Sequence, residues 1–485
     1  MESSFFGPVS TSYLNTSHRR MNDYSNSSIN FTEPIFEENN SMNRFFKTFK
    51  KSSLNDWKDQ IIKDLKGKEH ATLEFNDPIE EIKFKAYYHQ DEVIIQPQTP
   101  GNFPFKRGYS STNNFWSNAA LILIQNEKIA NQEALAILMN GANMLVFKSN
   151  KNNCDWEKVL QGIQLEYIES QFIISTKQDF LAIKAIDSNA SIAYDHLAIK
   201  NSKLFEEIIA HNKTDQSLAL KVNGFGVQQA GATSWQEVAF CLNVGHEYLL
   251  QLMTEGLTID EASKMIHFHI GIGNNYFNEI AKLRTLRQLW SKLIQAYSPK
   301  NQRSFDCNIT AIIGHVNKSL RDPYTNLLRQ TTEVMSALNG ANAILVLPYD
   351  FYSDEGPSSL AKRMAINLAL LLQEEAYLDK VIDPIGGSYS IETLTELIGE
   401  KSWNTFQGIE KNGGLFEQNA LNVFAELIMK KQNQRVEAFS SGKTTRIGIN
   451  DYEDLNEKVA NWKEVDSYLG MKPLILDLQP KKSEK

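Results

Sequence analysis

The chain has 485 residues, 42% of them hydrophobic and 22% charged, which is the balance of an ordinary globular protein and excludes disorder for most of its length. Fifty Lys plus Arg against 58 Asp plus Glu give a net charge of −8. That mildly acidic balance argues against general affinity for nucleic acid or an anionic membrane surface. Three cysteines, Cys154, Cys241 and Cys307, are too few and too dispersed for a disulfide framework or a cysteine metal site. The longest apolar runs, Ala343–Leu347 and Leu368–Leu372, fall far short of the roughly 20 residues a membrane helix needs. The sequence lacks the charged and apolar blocks of a signal peptide, and a cytoplasmic setting is expected.

Residues 1–41 are rich in Ser and Asn without a sustained period, the pattern of a disordered tail. A structured extension then covers residues 42–114. Ser53-Leu54-Asn55-Asp56 supplies a helix start, and Trp57, Ile61, Ile62 and Leu65 recur at helical spacing before Gly67. Thr72–Phe75, Phe84–Tyr88 and Val93–Gln96 read as short strands.

From residue 115 a repeating unit begins: a helix, a Gly or Asn turn, then a short apolar run. Asn140-Gly141-Ala142-Asn143 before Met144–Phe147 matches Asn339-Gly340-Ala341-Asn342 before Ala343–Leu347. In such a turn Gly takes the left-handed position that ends the helix. Other candidate strands are Phe172–Ser175, Leu181–Ala185, Leu218–Val222, Met265–Ile270, Asn308–Ile313 and Lys380–Ile382. Candidate helices include Tyr276–Ala296, Tyr324–Leu338 and Leu360–Leu378. About eight parallel-type strands alternating with helices predict an α/β fold, a (β/α)₈ TIM-type barrel over residues 115–400. An open doubly wound sheet is the alternative; no Gly-rich first turn supports it. Residues 401–485 predict further helices to about residue 468, and residues 472–485 read as a basic tail.

Local motifs are weak. Ser441-Gly442-Lys443-Thr444-Thr445 lacks the upstream Gly of a phosphate loop, because Glu437 stands there. His267 and His269 share one strand face but have no nearby third ligand, so hydrogen-bonded interior histidines are expected. Gly271-Ile272-Gly273 precedes a helix carrying Arg284 and Arg287, and solvated or ion-paired arginines are expected there. Asp383–Tyr389 follows a candidate strand, which would put it on the functional C-terminal face of a barrel.

Together, several stretches resemble the adenosylcobalamin-dependent methylmalonyl-CoA mutases. They are Pro100–Gly108, Asn223–Ala232, Asn278–Arg284, Asp322–Asn326, Gln373–Glu375 and Asp383–Tyr389. The resemblance implies a (β/α)₈ barrel with acyl-CoA along its axis, and a separate flavodoxin-like domain holding the cobalamin. It makes Arg107, Gln228, Gln229 and Arg284 candidate barrel-cleft residues.

The departures are specific. The family's cobalt-binding Asp-x-His-x-x-Gly is absent: none of the nine histidines has Gly three residues later. Gly226 stands where active chains carry a histidine that holds the thioester carbonyl. Asn114 stands where they carry a tyrosine that promotes cofactor homolysis, and Gln229 replaces a glutamate. Losing one such hydrogen-bonding group lowers catalysis by roughly 10²–10³. The expectation is therefore the small, noncatalytic subunit of a heterodimeric mutase, with no catalytic residue, no metal and no cofactor of its own. Adenosylcobalamin would sit in the large partner subunit. The residues leave a second reading open: a catalytic barrel served by a separate cobalamin-binding chain.

Overall fold

The computed structural model describes residues 52–68, 73–89, 91–93, 98–149, 153–212, 218–454 and 459–479. The tail expected over residues 1–41 lies outside them, as do Thr72 and residues 94–96 of two expected strands. The chain divides into two compact units, residues 1–70 and 71–485. Among the described residues no helix is long and apolar enough to cross a membrane.

The first unit contains helix α1, Leu54–Asp64. Ser53 caps it: its Oγ accepts from Asp56 N–H at 3.1 Å while the Asp56 carboxylate accepts from Ser53 N–H at 2.9 Å. Left-handed Lys66 and Gly67 end it, as the sequence predicts. None of its residues is buried.

The second unit opens with an antiparallel pair, β1 (Phe75–Asp77) and β2 (Ile82–Phe84). Eight parallel strands then close into a barrel: β3 (Ser117–Ile124), β4 (Met144–Ser149), β5 (Glu169–Ile173), β6 (Ser191–Tyr194), β7 (Leu218–Asn223), β8 (Ile266–Ile272), β9 (Asn308–Ile313) and β10 (Ala343–Val346). Each pairs with the next, and β10 pairs back with β3. The helices that matter for the sites below are α2 (Lys177–Ile186), α3 (Gly224–Gln229), α4 (Ser234–Thr254), α5 (Tyr276–Gln295), α6 (Thr325–Ala337), α7 (Ser359–Glu374), α8 (Tyr389–Lys411) and α9 (Gln418–Ser440).

The expected barrel is present, with two strands exchanged. Leu181–Ala185 is part of α2, because Thr176 caps that helix by accepting from Asp179 N–H at 3.1 Å. Lys380–Ile382 is a bend. The strands in their place, β3 and β6, lack a dense β-branched run: β3 opens on Ser-Asn-Ala-Ala and β6 has four residues. Beyond Ser440 there is no further α-helix among the described residues. The expected basic tail also fails over its first part, since Leu474 and Leu476 are buried with Phe439 and Ile449.

The two Asn-Gly-Ala-Asn turns do equivalent work by different means. Asn143 Oδ1 accepts from Asn118 N–H at 2.7 Å, and Asn342 Oδ1 accepts from Ile309 N–H at 3.0 Å, so each stitches a neighbouring strand. Gly141 has the expected positive φ of 99°. Gly340 does not; it is needed because a Cβ there would lie 2.7 Å from Leu283 Cβ on α5.

Strand alternation separates two cores. Along β7, Leu218, Leu220 and Val222 pack into the shell between sheet and helices. Ala219, Lys221 and Asn223 face the barrel axis. A smaller apolar cluster of Ala119, Met144, Val146, Ile312, Leu345 and Leu347 fills one side of the axis. In the shell, Phe147 and Phe172 stack at 5.2 Å with the edge of Trp156 against both. Phe172 has no exposed surface. Replacing it with Ala should lower unfolding free energy by about 3–5 kcal/mol, read from urea denaturation, since the rigid shell cannot close the cavity.

Candidate functional site

At the C-terminal end of the barrel, β7 runs directly into α3. Asn223 Oδ1 accepts from Gly226 N–H at 3.3 Å and starts that short helix. Gly226 has no side chain, and its space is taken: a Cβ there would lie 2.5 Å from Cγ of Tyr468. Tyr468 comes from the C-terminal segment. It enters through a tight turn in which Tyr468 and Met471 exchange backbone hydrogen bonds at 3.0 and 2.9 Å across left-handed Leu469 and Gly470. Its hydroxyl donates to Asp195 Oδ2 at 3.2 Å, just past the end of β6. Burial pushes the Tyr468 phenol well above its ordinary range, and the Asp195 carboxylate adds to the effect. Burial also raises the Asp195 carboxyl, against the pull of Lys221 and the Ala198 N–H.

The rest of the segment continues the cover. Leu474 N–H donates to Gln229 O at 2.8 Å. Gln432 on α9 donates to Ala230 O at 3.0 Å and Lys472 O at 2.8 Å. Trp462 stacks on Tyr352 at 5.9 Å and meets the edge of His315 at 6.1 Å. Lys463 places its ammonium 3.9 Å from the centre of the Phe351 ring. Asp477 Oδ2 accepts from Ser319 Oγ at 2.8 Å, Leu320 N–H at 2.9 Å and Trp462 Nε1–H at 3.2 Å.

The four candidate cleft residues do not share a cleft. Gln228 and Gln229 lie under this cover and hydrogen-bond each other, and Gln229 Oε1 accepts from His315 N–H at 2.8 Å. Both are only 6% exposed, and Gly271 and Gly314 leave the room their side chains occupy. Arg107 and Arg284 meet toward the other end of the barrel, on Asp383: Arg107 Nε at 2.7 Å and Arg284 Nη1 at 2.5 Å from the same Oδ2. Arg284 Nη2 also reaches Glu392 at 2.5 Å, and Lys106 reaches it at 2.6 Å. These charges are structural partners: they tie the Pro100–Gly108 loop to α5 and α8.

This position corrects the expectation for Asp383–Tyr389. No strand precedes the segment. It follows α7, which returns from the C-terminal end of β10, so it lies near the N-terminal strand ends. Asn114 lies there too, three residues before β3, with Nδ2 donating to Leu338 O at 3.1 Å and Leu378 O at 3.2 Å. Gly226 and Asn114 therefore stand at opposite ends of the barrel.

Within the segment Asn278–Arg284, Lys282 is buried against Glu237 at 2.7 Å, Glu279 at 2.5 Å and Gly271 O at 2.6 Å. Burial opposes its charge, but the two carboxylates outweigh it and hold the ammonium above the usual lysine range. His267 and His269 face the axis. Asn308 lies 3.4 Å from the His267 ring, whereas neither His269 nitrogen has a partner among the described residues, contrary to the expected satisfied pair. All three cysteines are free. Tyr468, Asp195 and Lys221 are the residues sequence reasoning missed. Only Lys221, a lysine inside an apolar strand, left a local signal.

Two measurements follow from this geometry. Gly226→Ala should cost about 1–3 kcal/mol by forcing Cβ against the Tyr468 ring. In a Tyr468→Ala background the same change should cost much less, so the double-mutant cycle should show strong coupling. Glu392 supplies a pH test. Burial alone would raise its carboxyl, but Arg284, Lys106 and the Gly387 N–H hold it below 4.5. Its stabilisation is present above the unfolded value and lost as pH falls through the folded one. Glu392→Gln should therefore lower the urea midpoint at neutral pH and flatten its decline between about pH 5 and 3.

The family model described as methylmalonyl-CoA mutase matches residues 197–484. A methylmalonyl-CoA mutase small subunit from Porphyromonas gingivalis is 30% identical over 446 residues, covering 85% of this chain and 72% of its own. A probable small subunit from Mycobacterium bovis is 27% identical over 412 residues, 77% of this chain and 65% of its own. A large subunit from Propionibacterium freudenreichii subsp. shermanii is 30% identical over 270 residues, 55% of this chain and 37% of its own. With more than half its length matched by the family and most of it aligned to relatives named small subunits, the chain belongs to the methylmalonyl-CoA mutase family, on the small-subunit side.

Proposed function

We propose that this chain is the small, noncatalytic subunit of an adenosylcobalamin-dependent methylmalonyl-CoA mutase. In this reading it forms a heterodimer with a large subunit that holds the cofactor and interconverts methylmalonyl-CoA and succinyl-CoA. The observation that carries the reading is the Tyr468 ring packed where active relatives are expected to place a histidine side chain from residue 226. A group that must hold a thioester carbonyl cannot act from a backbone that a phenol ring already covers.

The residues here do not fit the cofactor. No histidine carries the lower-ligand spacing, and the C-terminal end of the barrel, where a cobalamin would face a substrate, lies under residues 462–478. The second reading, a catalytic barrel served by a separate cobalamin-binding chain, needs that end open and is disfavoured by the same contact. An acyl-CoA threading the axis would find the far end covered as well. Three free thiols fit a reducing, cytoplasmic setting.

The chain purified alone and supplied with adenosylcobalamin should not interconvert the two thioesters. Co-expressed with a large subunit that carries Asp-x-His-x-x-Gly, it should elute as an equimolar complex by size exclusion with light scattering. Turnover by the chain with only a cobalamin-binding protein added would establish the second reading instead. Failure to form any complex would remove the subunit role.

A further inference from the structure

A cavity of about 900 Å³ opens at the N-terminal mouth of the barrel, where the strands begin. Glu166, Glu169, Asp187 and Asp306 line it, and none of its lining residues is lysine or arginine. The four carboxylates stand on two sides. Glu169 opens β5, Glu166 lies in the turn before that strand, and Asp187 ends α2. Asp306 lies just before β9, and β5 and β9 are four strands apart in either direction around the closed ring. The groups that bond two of them are neutral: Glu169 accepts from Ser117 Oγ at 2.9 Å and Asp187 from Asn189 N–H at 2.9 Å. Among the described residues no group of three or more His, Cys, Asp and Glu is placed to hold a metal ion. Negative charge spread across a mouth in this way suits an extended cation better than a point charge.

Gln171 is an independent sign of a missing partner. It lines the cavity from β5, and its lateral neighbour Ser191 lines it from β6. Its side chain is 2% exposed, and its Oε1 has no hydrogen-bond partner among the described residues. Asp306 Oδ1 is likewise buried without one. Both atoms are acceptors, and a buried acceptor left alone costs stability that a bound donor recovers. An ammonium group offers donors only. His267, on the inner wall, does not oppose a cation, because burial pushes its pKa down to about 4 and keeps the ring neutral. Deeper in the barrel the sign of the charge reverses. Lys148 and Lys221 face the axis nearer the C-terminal ends of β4 and β7, and neither lines the cavity. Lys148 is close enough to help push the Lys221 ammonium down. The two lysines set the inner limit of the mouth for any cation that enters it.

We propose that the N-terminal mouth binds a linear aliphatic polyamine, with one ammonium group taken by Asp306 and another, across the mouth, by Glu169, Asp187 and Gln171. Phe115, Met144 and Ile163 give the methylene chain an apolar wall. Hydrogen bonds from an ammonium to a carboxylate are roughly twice as strong as neutral ones. Carboxylates on both sides of the opening favour a molecule with several ammonium groups over one with a single charge. The site does not depend on the chain's being noncatalytic.

Spermidine is the probe. Titrated into the full chain by calorimetry near neutral pH in about 0.15 M salt, which screens loose attraction to exposed charges, it should bind at one site. Hexylamine, with one ammonium group, should bind about tenfold or more weakly, and magnesium at equal concentration should not displace spermidine. Asp306→Asn and Glu169→Gln keep the side-chain shapes on the two sides, and each should weaken binding by about tenfold or more. Gln171→Leu should weaken it as well while the melting temperature holds or rises, because an unpartnered buried acceptor has been removed. Absence of spermidine binding to the unmodified chain overturns the proposal. So does equal binding of hexylamine, displacement by magnesium, or unchanged affinity in any of the three variants when folded.

Discussion

One contact decides what this barrel can do: the ring of Tyr468 against the bare backbone of Gly226. Any side chain at position 226, in the first turn of α3, would push the ring out. With the ring would go the tight turn at Leu469–Gly470 and the hydroxyl's hold on Asp195. The cover over the C-terminal end is then an arrangement of mutually dependent parts. Leu474 donates to Gln229, Trp462 lies on Tyr352, and Asp477 collects three donors from both the cover and the barrel loops. Each part alone is a modest interaction, and their cooperation comes from sharing one turn of chain.

The other end is held differently, by charge. Arg284 has no exposed surface and binds both Asp383 and Glu392, while Arg107 and Lys106 supply the second cation for each carboxylate. Two cations on each carboxylate offset the desolvation that would otherwise make such a cluster unfavourable. The cluster fastens an N-terminal loop to two helices far along the chain. The barrel thus has one end sealed mainly by aromatic packing and backbone hydrogen bonds, and another braced by buried salt bridges.

The sequence disclosed the barrel through period and punctuation. Asn308–Ile313 is a strand with the bounds read from it, and the helix read over Tyr276–Ala296 is one residue longer than α5. It failed where two signals compete. Leu-Ala-Ile-Lys-Ala has the apolar density of a buried strand, and only the Thr176–Asp179 cap places it in a helix. The small residues that open β3 suit the crowded inside of a barrel but carry little strand preference. At the site, Gly226 stood out because the stretch around it, Asn223–Ala232, resembles the family's motif with a histidine missing. Tyr468 could not, because the turn that delivers it is remote in sequence and no local spacing links the two. Arg107 and Arg284 looked like ligand-binding groups for a similar reason: a sequence shows the cations and leaves their carboxylate partners unassigned.

The seam of the barrel has a consequence for how the molecule is made. Its first strand, β3, closes against its last, β10, through only three register pairs, with Ser117 N–H donating to Asn342 O at 2.9 Å. During synthesis β3 emerges from the ribosome long before β10 exists, so one of its edges has no partner while the intervening strands and helices are translated. Contacts so distant in sequence are slow to form, and an unpaired edge is open to the wrong neighbour. The polar Asn118 near the start of that strand, bonded in the finished barrel to Ile366 O at 3.1 Å, stands at the head of its apolar run. While the nascent chain waits for its closing strand, that amide is a poor match for the greasy surface of another unfinished molecule.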